Sequence, residues 1–139
     1  MADLIHEFIT DRARTDPLSP ALYCKEQQFN YAQLAESVRS TGTGLLALGL
    51  KAGERVAVYL PKQVETVFAL FGAAQAGGCF VPVNPILKPR QVAHILPHCQ
   101  VRTLVTSAAR LEGLRDILCD VSVCLVCVLR CHGDEQTEV

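Results

Sequence analysis

The run Gly53–Val83, GERVAVYLPKQVETVFALFGAAQAGGCFVPV, decides the fold. It reads as strand, helix, strand. Arg55 to Leu60 is a short apolar run ended by Pro61, which continues neither a ladder nor a helix interior. Val64, Val67, Phe68 and Phe71 then recur at i, i+3, i+4 and i+7, one face of a helix. Ala69, Ala73, Ala74 and Ala76 keep the rest of that helix small enough to pack closely on several sides. Gly77-Gly78 stops it, because glycine takes the left-handed conformation a helix terminus needs. Cys79 to Val83 is a second apolar run, closed by the turn residues Asn84-Pro85. Both runs are apolar throughout rather than alternating. That pattern suits a buried parallel pair joined by a right-handed helical crossover.

Working outward, residues 3–15 carry Leu4, Ile5, Phe8 and Ile9 as the apolar stripe of an amphipathic helix, which Pro17 and Pro20 end. Ala21–Cys24 and Gln28–Tyr31 are expected as two short strands around Lys25-Glu26-Gln27. Asn30 is placed to cap the next helix, with Gln33 bonding back. That helix covers about 32–48, with Leu34, Val38, Thr41, Leu45 and Leu48 on one face and Gly49 at its end. After Asn84-Pro85, a helix is expected over about 89–96. Pro89 fits its first turn and Pro97 stops it. A strand follows at 101–106, then a helix at 108–118 capped by Ser107, then a last strand at 121–129. From residue 32 the elements alternate helix and strand four times. The fold class is therefore α/β, a mostly parallel sheet with helices on both faces. Residues 1–130 are expected as one domain and 131–139 as a frayed acidic tail.

Composition narrows the function. A chain of 139 residues that is 50% hydrophobic holds one core. A net charge of −1 and the lack of Trp argue against nucleic-acid partners and base-stacking platforms. No apolar run approaches the roughly 18 residues that a membrane-spanning helix needs. Asp3 and Glu7 at the start do not suit a secretory signal, so a cytoplasmic location is expected. The seven cysteines mostly sit in apolar runs and are expected as reduced, buried thiols.

Gly53-Glu54-Arg55-Val56, the run to Leu60-Pro61, the alanine-rich helix, Ala76-Gly77-Gly78 and Val81-Pro82-Val83-Asn84-Pro85 resemble, in order and spacing, the front of the large N-terminal domain of AMP-forming acyl-CoA synthetases. Luciferases and peptide-synthetase adenylation domains share that superfamily. The resemblance covers roughly residues 3–129. It implies a parent enzyme that joins a carboxylate to ATP as acyl-AMP and passes the acyl group to CoA, chemistry used in fatty acid metabolism. ATP, Mg and CoA are then implied for the full-length parent, and no cofactor for this chain alone. The family's phosphate loop, adenine motif, ribose-binding Asp and mobile lysine all lie downstream of the matched segment. No catalytic residue carries over, and the chain alone is expected to be inactive. The remainder of the parent enzyme is the implied partner. A stand-alone binding or self-assembly module of the same fold is the alternative, associating as a homo-oligomer through uncovered apolar surface.

By the same resemblance, Asn84 and Pro85 lie near the path of the CoA pantetheine arm, and Arg110 near a CoA phosphate. Independently, loops after parallel strands are where open α/β sheets bind ligands. The other candidates meet objections. Ser40-Thr41-Gly42-Thr43-Gly44 has the composition of a phosphate loop but no following Pro-Lys, and it sits within a helical pattern. Ala76-Gly77-Gly78 closes a helix instead of opening one, unlike a dinucleotide fingerprint. Cys124 and Cys127, with Cys119, Cys131 and His132 nearby, have zinc-knuckle spacing but fall in a strand pattern, where positions three apart face opposite ways. His94 and His98 are one helical turn apart, but Pro97 is expected to break the turn between them, and no third ligand is evident. A Cys99–His98 nucleophile–base pair would need geometry that sequence neighbours seldom have. No metal site is expected.

Overall fold

The computed structural model describes residues 2–119, 123 and 125–128. The elements run α1 (Glu7–Thr15), β1 (Pro20–Cys24), β2 (Gln27–Asn30), α2 (Tyr31–Ala47), β3 (Arg55–Tyr59), α3 (Val64–Gln75), β4 (Cys79–Pro82), α4 (Pro89–His98), β5 (Val101–Thr106), α5 (Ala108–Leu118) and β6 (Leu125–Val128). β3 to β6 form one parallel sheet in the order β4-β3-β5-β6. β1 and β2 pair antiparallel as a separate ribbon, turning at Lys25, which takes a φ of 53°.

The sheet is covered on both faces, and the pleat of β3 shows how. Val56, Val58 and Leu60 point to one side, where they pack with Leu45, Ala69 and Ala73 from α2 and α3. Ala57 and Tyr59 point to the other, among Val92, Leu96, Leu104 and Leu114 beneath α4 and α5. A third cluster joins Ile9, Leu34, Val38, Val64 and Phe68, with Phe29 of the ribbon edge-on to Phe68. β4 lies at one end of the described sheet and is only half-buried, unlike the fully buried strand its composition suggests. Its Pro82, which has no ladder donor, is at home there.

Local chemistry sets most boundaries. Asn30 accepts from the Gln33 amide at 2.8 Å, and the Gln33 side chain accepts from the Asn30 amide, the capping box read from the sequence. Gly77 stops α3 with a φ of 87°. Tyr31, expected to close the second strand, instead opens α2, and two further boundaries differ more widely. α1 begins at Glu7 instead of residue 3, and only Ile9 of its apolar stripe is buried. Leu4, Ile5 and Phe8 stay exposed. α4 does not stop before Pro97 but runs through it to His98. The ring removes the bond that the residue 97 amide would give the Ala93 carbonyl. The Cys99 amide resumes the ladder by donating to Ile95.

The glycine-rich run 40–44 lies inside α2, and its role is steric. A Cβ on Gly42 would stand 2.9 Å from the Gly72 carbonyl oxygen, and one on Gly72 would stand 2.9 Å from Thr41. The two glycines let α2 and α3 touch backbone to backbone. Gly44, two residues on and on the far side of the helix, meets nothing within 4 Å. Gly42→Ala and Gly72→Ala should each cost about 1–3 kcal/mol by overpacking. Gly44→Ala should stabilise the exposed helix by up to about 1 kcal/mol. Urea denaturation of the three variants checks this, and equal effects at Gly42 and Gly44 would contradict the close contact.

Candidate functional site

In this sheet the chain leaves β3 for β4 on one side, then crosses back to β5 on the other. The strand order therefore reverses between β3 and β5, and open α/β sheets hold ligands at the carboxyl ends of strands beside such a reversal. Tyr59-Leu60-Pro61-Lys62 leaves β3 at this edge, Val83-Asn84-Pro85 leaves β4, and Ser107 leaves β5. Because α3, α4 and α5 each follow a strand, their N-termini gather here too, presenting the positive ends of three helix dipoles. Lys62, Lys88, Arg90 and Arg110 lie in the loops and first turns of the same edge. Against these four basic side chains, the first turn of α3 carries the acidic Glu65, and the balance of charge and helix dipoles suits an anionic ligand.

The structure brings the three sequence candidates together. The Arg110 Nη1 donates to the Pro85 carbonyl oxygen at 3.0 Å. Its guanidinium carbon stands 4.4 Å from the centre of the Tyr59 ring, a cation–π contact. The Tyr59 hydroxyl donates in turn to the Leu87 carbonyl. Asn84 closes the turn, its Oδ1 accepting from the Ile86 amide at 3.0 Å and its carbonyl from the Leu87 amide at 3.1 Å. Ser107 caps α5 by accepting from the Arg110 amide, which fixes where Arg110 starts its reach. Thr106, fully buried, donates its hydroxyl to the Tyr59 carbonyl at 2.8 Å and ties the ends of β3 and β5 together.

Loop 84–88 is thus latched from beneath by Tyr59 and from the side by Arg110, with Ile86 exposed at its tip. Part of the Arg110 donor fork is spent on this latch. Sequence reasoning found Asn84, Pro85 and Arg110 but not Tyr59 or Thr106. A tyrosine ending a buried apolar strand was the available signal, since its hydroxyl needs a partner.

The remaining candidates separate. His94 and His98 are both exposed, with rings stacked 5.9 Å apart. Cys99 packs at the margin of the α4–α5 cluster. Cys124, Cys131 and His132 lie outside the described residues. Among the described residues no three His, Cys, Asp or Glu side chains group to hold a metal. The five described cysteines are free thiols, but none is fully buried, and Cys79 and Cys119 are exposed. Cys24, Cys79, Cys99 and Cys119 sit at the ends of strands and helices, while Cys127 lies within β6 and packs against the core. Among the described residues no helix is long and apolar enough to cross a membrane. Concavities of about 850 Å³ beside Lys51, Glu54 and Arg102, and about 670 Å³ beside His6, Asp11 and Arg14, lie away from this edge.

Residues 9–138 match the family of AMP-binding enzymes. The chain is 35% identical over 113 residues to a syringomycin synthase of Pseudomonas syringae pv. syringae, covering 81% of this chain and 18% of that protein. It is 38% identical over 105 residues to a crotonobetaine/carnitine–CoA ligase of Salmonella paratyphi B, covering 72% of this chain and 20% of that protein. It spans about a fifth of the length of these curated relatives. The inhibitor-bound N-terminal domain of FACL13 from Mycobacterium tuberculosis superposes with a TM-score of 0.84 at 25% identity, over 92% of this chain and 34% of that one. An anthranilate CoA ligase in complex with anthranoyl-AMP shares the fold, with a TM-score of 0.84 at 22% identity, over 91% of this chain and 25% of that one.

Two predictions follow from the geometry. Tyr59→Phe should cost about 1 kcal/mol and speed amide exchange at Ile86 and Leu87, because the latch loses its donor to the Leu87 carbonyl. Exchange unchanged from wild type would mean that the bond does not hold the loop. Burial raises the Cys127 pKa above its ordinary value, which lowers its thiolate fraction at neutral pH. Iodoacetamide at pH 7 should therefore modify exposed Cys79 before Cys127, with Cys127 catching up as pH rises. Peptide mapping of the alkylated protein reads the order, and the reverse order would contradict the burial.

Proposed function

The chain belongs to the AMP-binding enzyme family, and we propose that it is the N-terminal scaffold portion of an AMP-forming acyl-CoA ligase. The observation that carries this is the match over residues 9–138, at about a fifth of the relatives' length. In this reading the whole protein activates a carboxylate with ATP and magnesium and transfers the acyl group to CoA. The reaction belongs to acyl and fatty acid metabolism, and the location is cytoplasmic. The chain by itself supplies no catalytic group. The run Ser40–Gly44, which has phosphate-loop composition, is locked in α2 and offers no loop to a nucleotide.

The carboxyl edge is the part this chain contributes to ligand binding. Its helix N-termini, Lys62 and Arg110 fit the phosphates of CoA, and the latched loop at Asn84 and Pro85 fits as a wall for the pantetheine arm. The rest of the larger protein is the proposed partner of this piece. The exposed Leu4, Ile5 and Phe8 of the α1 region support that, since apolar surface of this kind favours cover. Without the partner, self-association through the same surface is expected.

Titrating CoA into the chain while following amide chemical shifts tests the proposal. Shifts should concentrate at residues 84–88 and in the first turn of α5, and Arg110→Ala should abolish them. Saturable CoA binding elsewhere, or shifts untouched by Arg110→Ala, would remove these residues from the site. Sedimentation of the chain should show association that falls when Phe8 is replaced by Asp. A wild-type monomer at high concentration would contradict an uncovered interface.

A further inference from the structure

We propose that His94 and His98 form a two-imidazole site for one divalent transition-metal ion of the zinc, nickel and copper group, on the exposed face of α4. Their spacing of four residues puts two side chains one above the other on a helix, provided that the helix is continuous between them. It is, because α4 runs through Pro97 to His98. The rings lie nearly parallel, 14° apart, with centroids 5.9 Å from each other. A metal bound to two imidazoles sits about 2.0–2.1 Å from each nitrogen. In the stack the nitrogen lone pairs lie in the ring planes and do not yet converge, so both exposed side chains rotate out of it to share an ion.

The surroundings leave both rings available. Neither histidine has a hydrogen bond or ion pair to any described residue, so no partner must be displaced. Arg90, one turn before His94, is exposed and screened by water. The last turn of α4 also carries the negative end of its dipole, which favours a cation. Neutral imidazole is a preferred ligand for these borderline metals, and water completes the coordination. The two ligands bracket the turn where Pro97 removes a backbone hydrogen bond. A bound ion therefore clips the weakest turn of α4, the turn that carries fully buried Leu96 into the core and hands the chain to β5.

Nickel titration of the full chain by isothermal calorimetry tests the site, with His94→Gln, His98→Gln and, as a control on another histidine, His6→Gln. Wild type should bind one ion saturably. Either α4 substitution should weaken binding at least tenfold, while His6→Gln leaves it unchanged. Wild type saturated with Ni²⁺ should also melt several degrees higher, a shift that both α4 variants lose. Absence of saturable binding would overturn the proposal. So would a site that survives either α4 substitution, as one built on the cysteines would.

Discussion

The fold depends on one constraint, the burial of β3 on every side. Its ladder is filled by β4 and β5, and its two faces are filled by α2–α3 and α4–α5. Val56 and Ala57, adjacent in sequence and facing opposite ways, are both completely buried. A strand in that position needs an apolar residue at each step, because neither face reaches water. It also needs helices of different build on its two sides. On one, alanines and glycines let α2 and α3 nest with backbone contact at Gly42 and Gly72. On the other, leucines and valines of α4 and α5 fill a wider layer.

The same topology makes the candidate site. A chain that starts in the middle of a parallel sheet and winds outward in both directions leaves a crevice where it reverses. It must also start each crossover helix at one edge. Those helix starts, with Lys62 and Arg110, give the carboxyl edge its positive character. The latch from Tyr59 and Arg110 to loop 84–88 joins the buried face to that edge. Tyr59 belongs to the α4–α5 cluster by its ring and to the loop by its hydroxyl, so core packing sets the position of the surface loop.

Much of this was legible in the residues. The uniform apolar runs at 55–60 and 79–83 announced parallel strands, and the Asn30–Gln33 box announced the start of α2. The capping residue and the glycine stop act locally, so sequence order alone exposes them. What escaped was decided by distant partners. β4 looked as buried as β3, and only the strand order places it at one end of the described sheet. Pro97 looked like a stop, but α4 runs on to His98 and the Cys99 amide still donates to the Ile95 carbonyl, so the turn is kept by bonds on either side of the one the ring removes. The stripe of α1 looked buried, yet among the described residues only Ile9 finds a core to enter. At the site, Asn84, Pro85 and Arg110 were legible as loop and helix-start residues. The Arg110 and Tyr59 bonds that latch loop 84–88 were not, because they span 25 and 28 residues of sequence.

The account makes this chain a scaffold that positions ligands but does not adenylate them. The most direct measurement is ATP–pyrophosphate exchange by the pure 139-residue chain with a panel of short, long and aromatic carboxylates. The account predicts no exchange above the protein-free blank with any of them. Robust, carboxylate-dependent exchange that co-purifies with the chain would contradict it and would place adenylation chemistry within these residues.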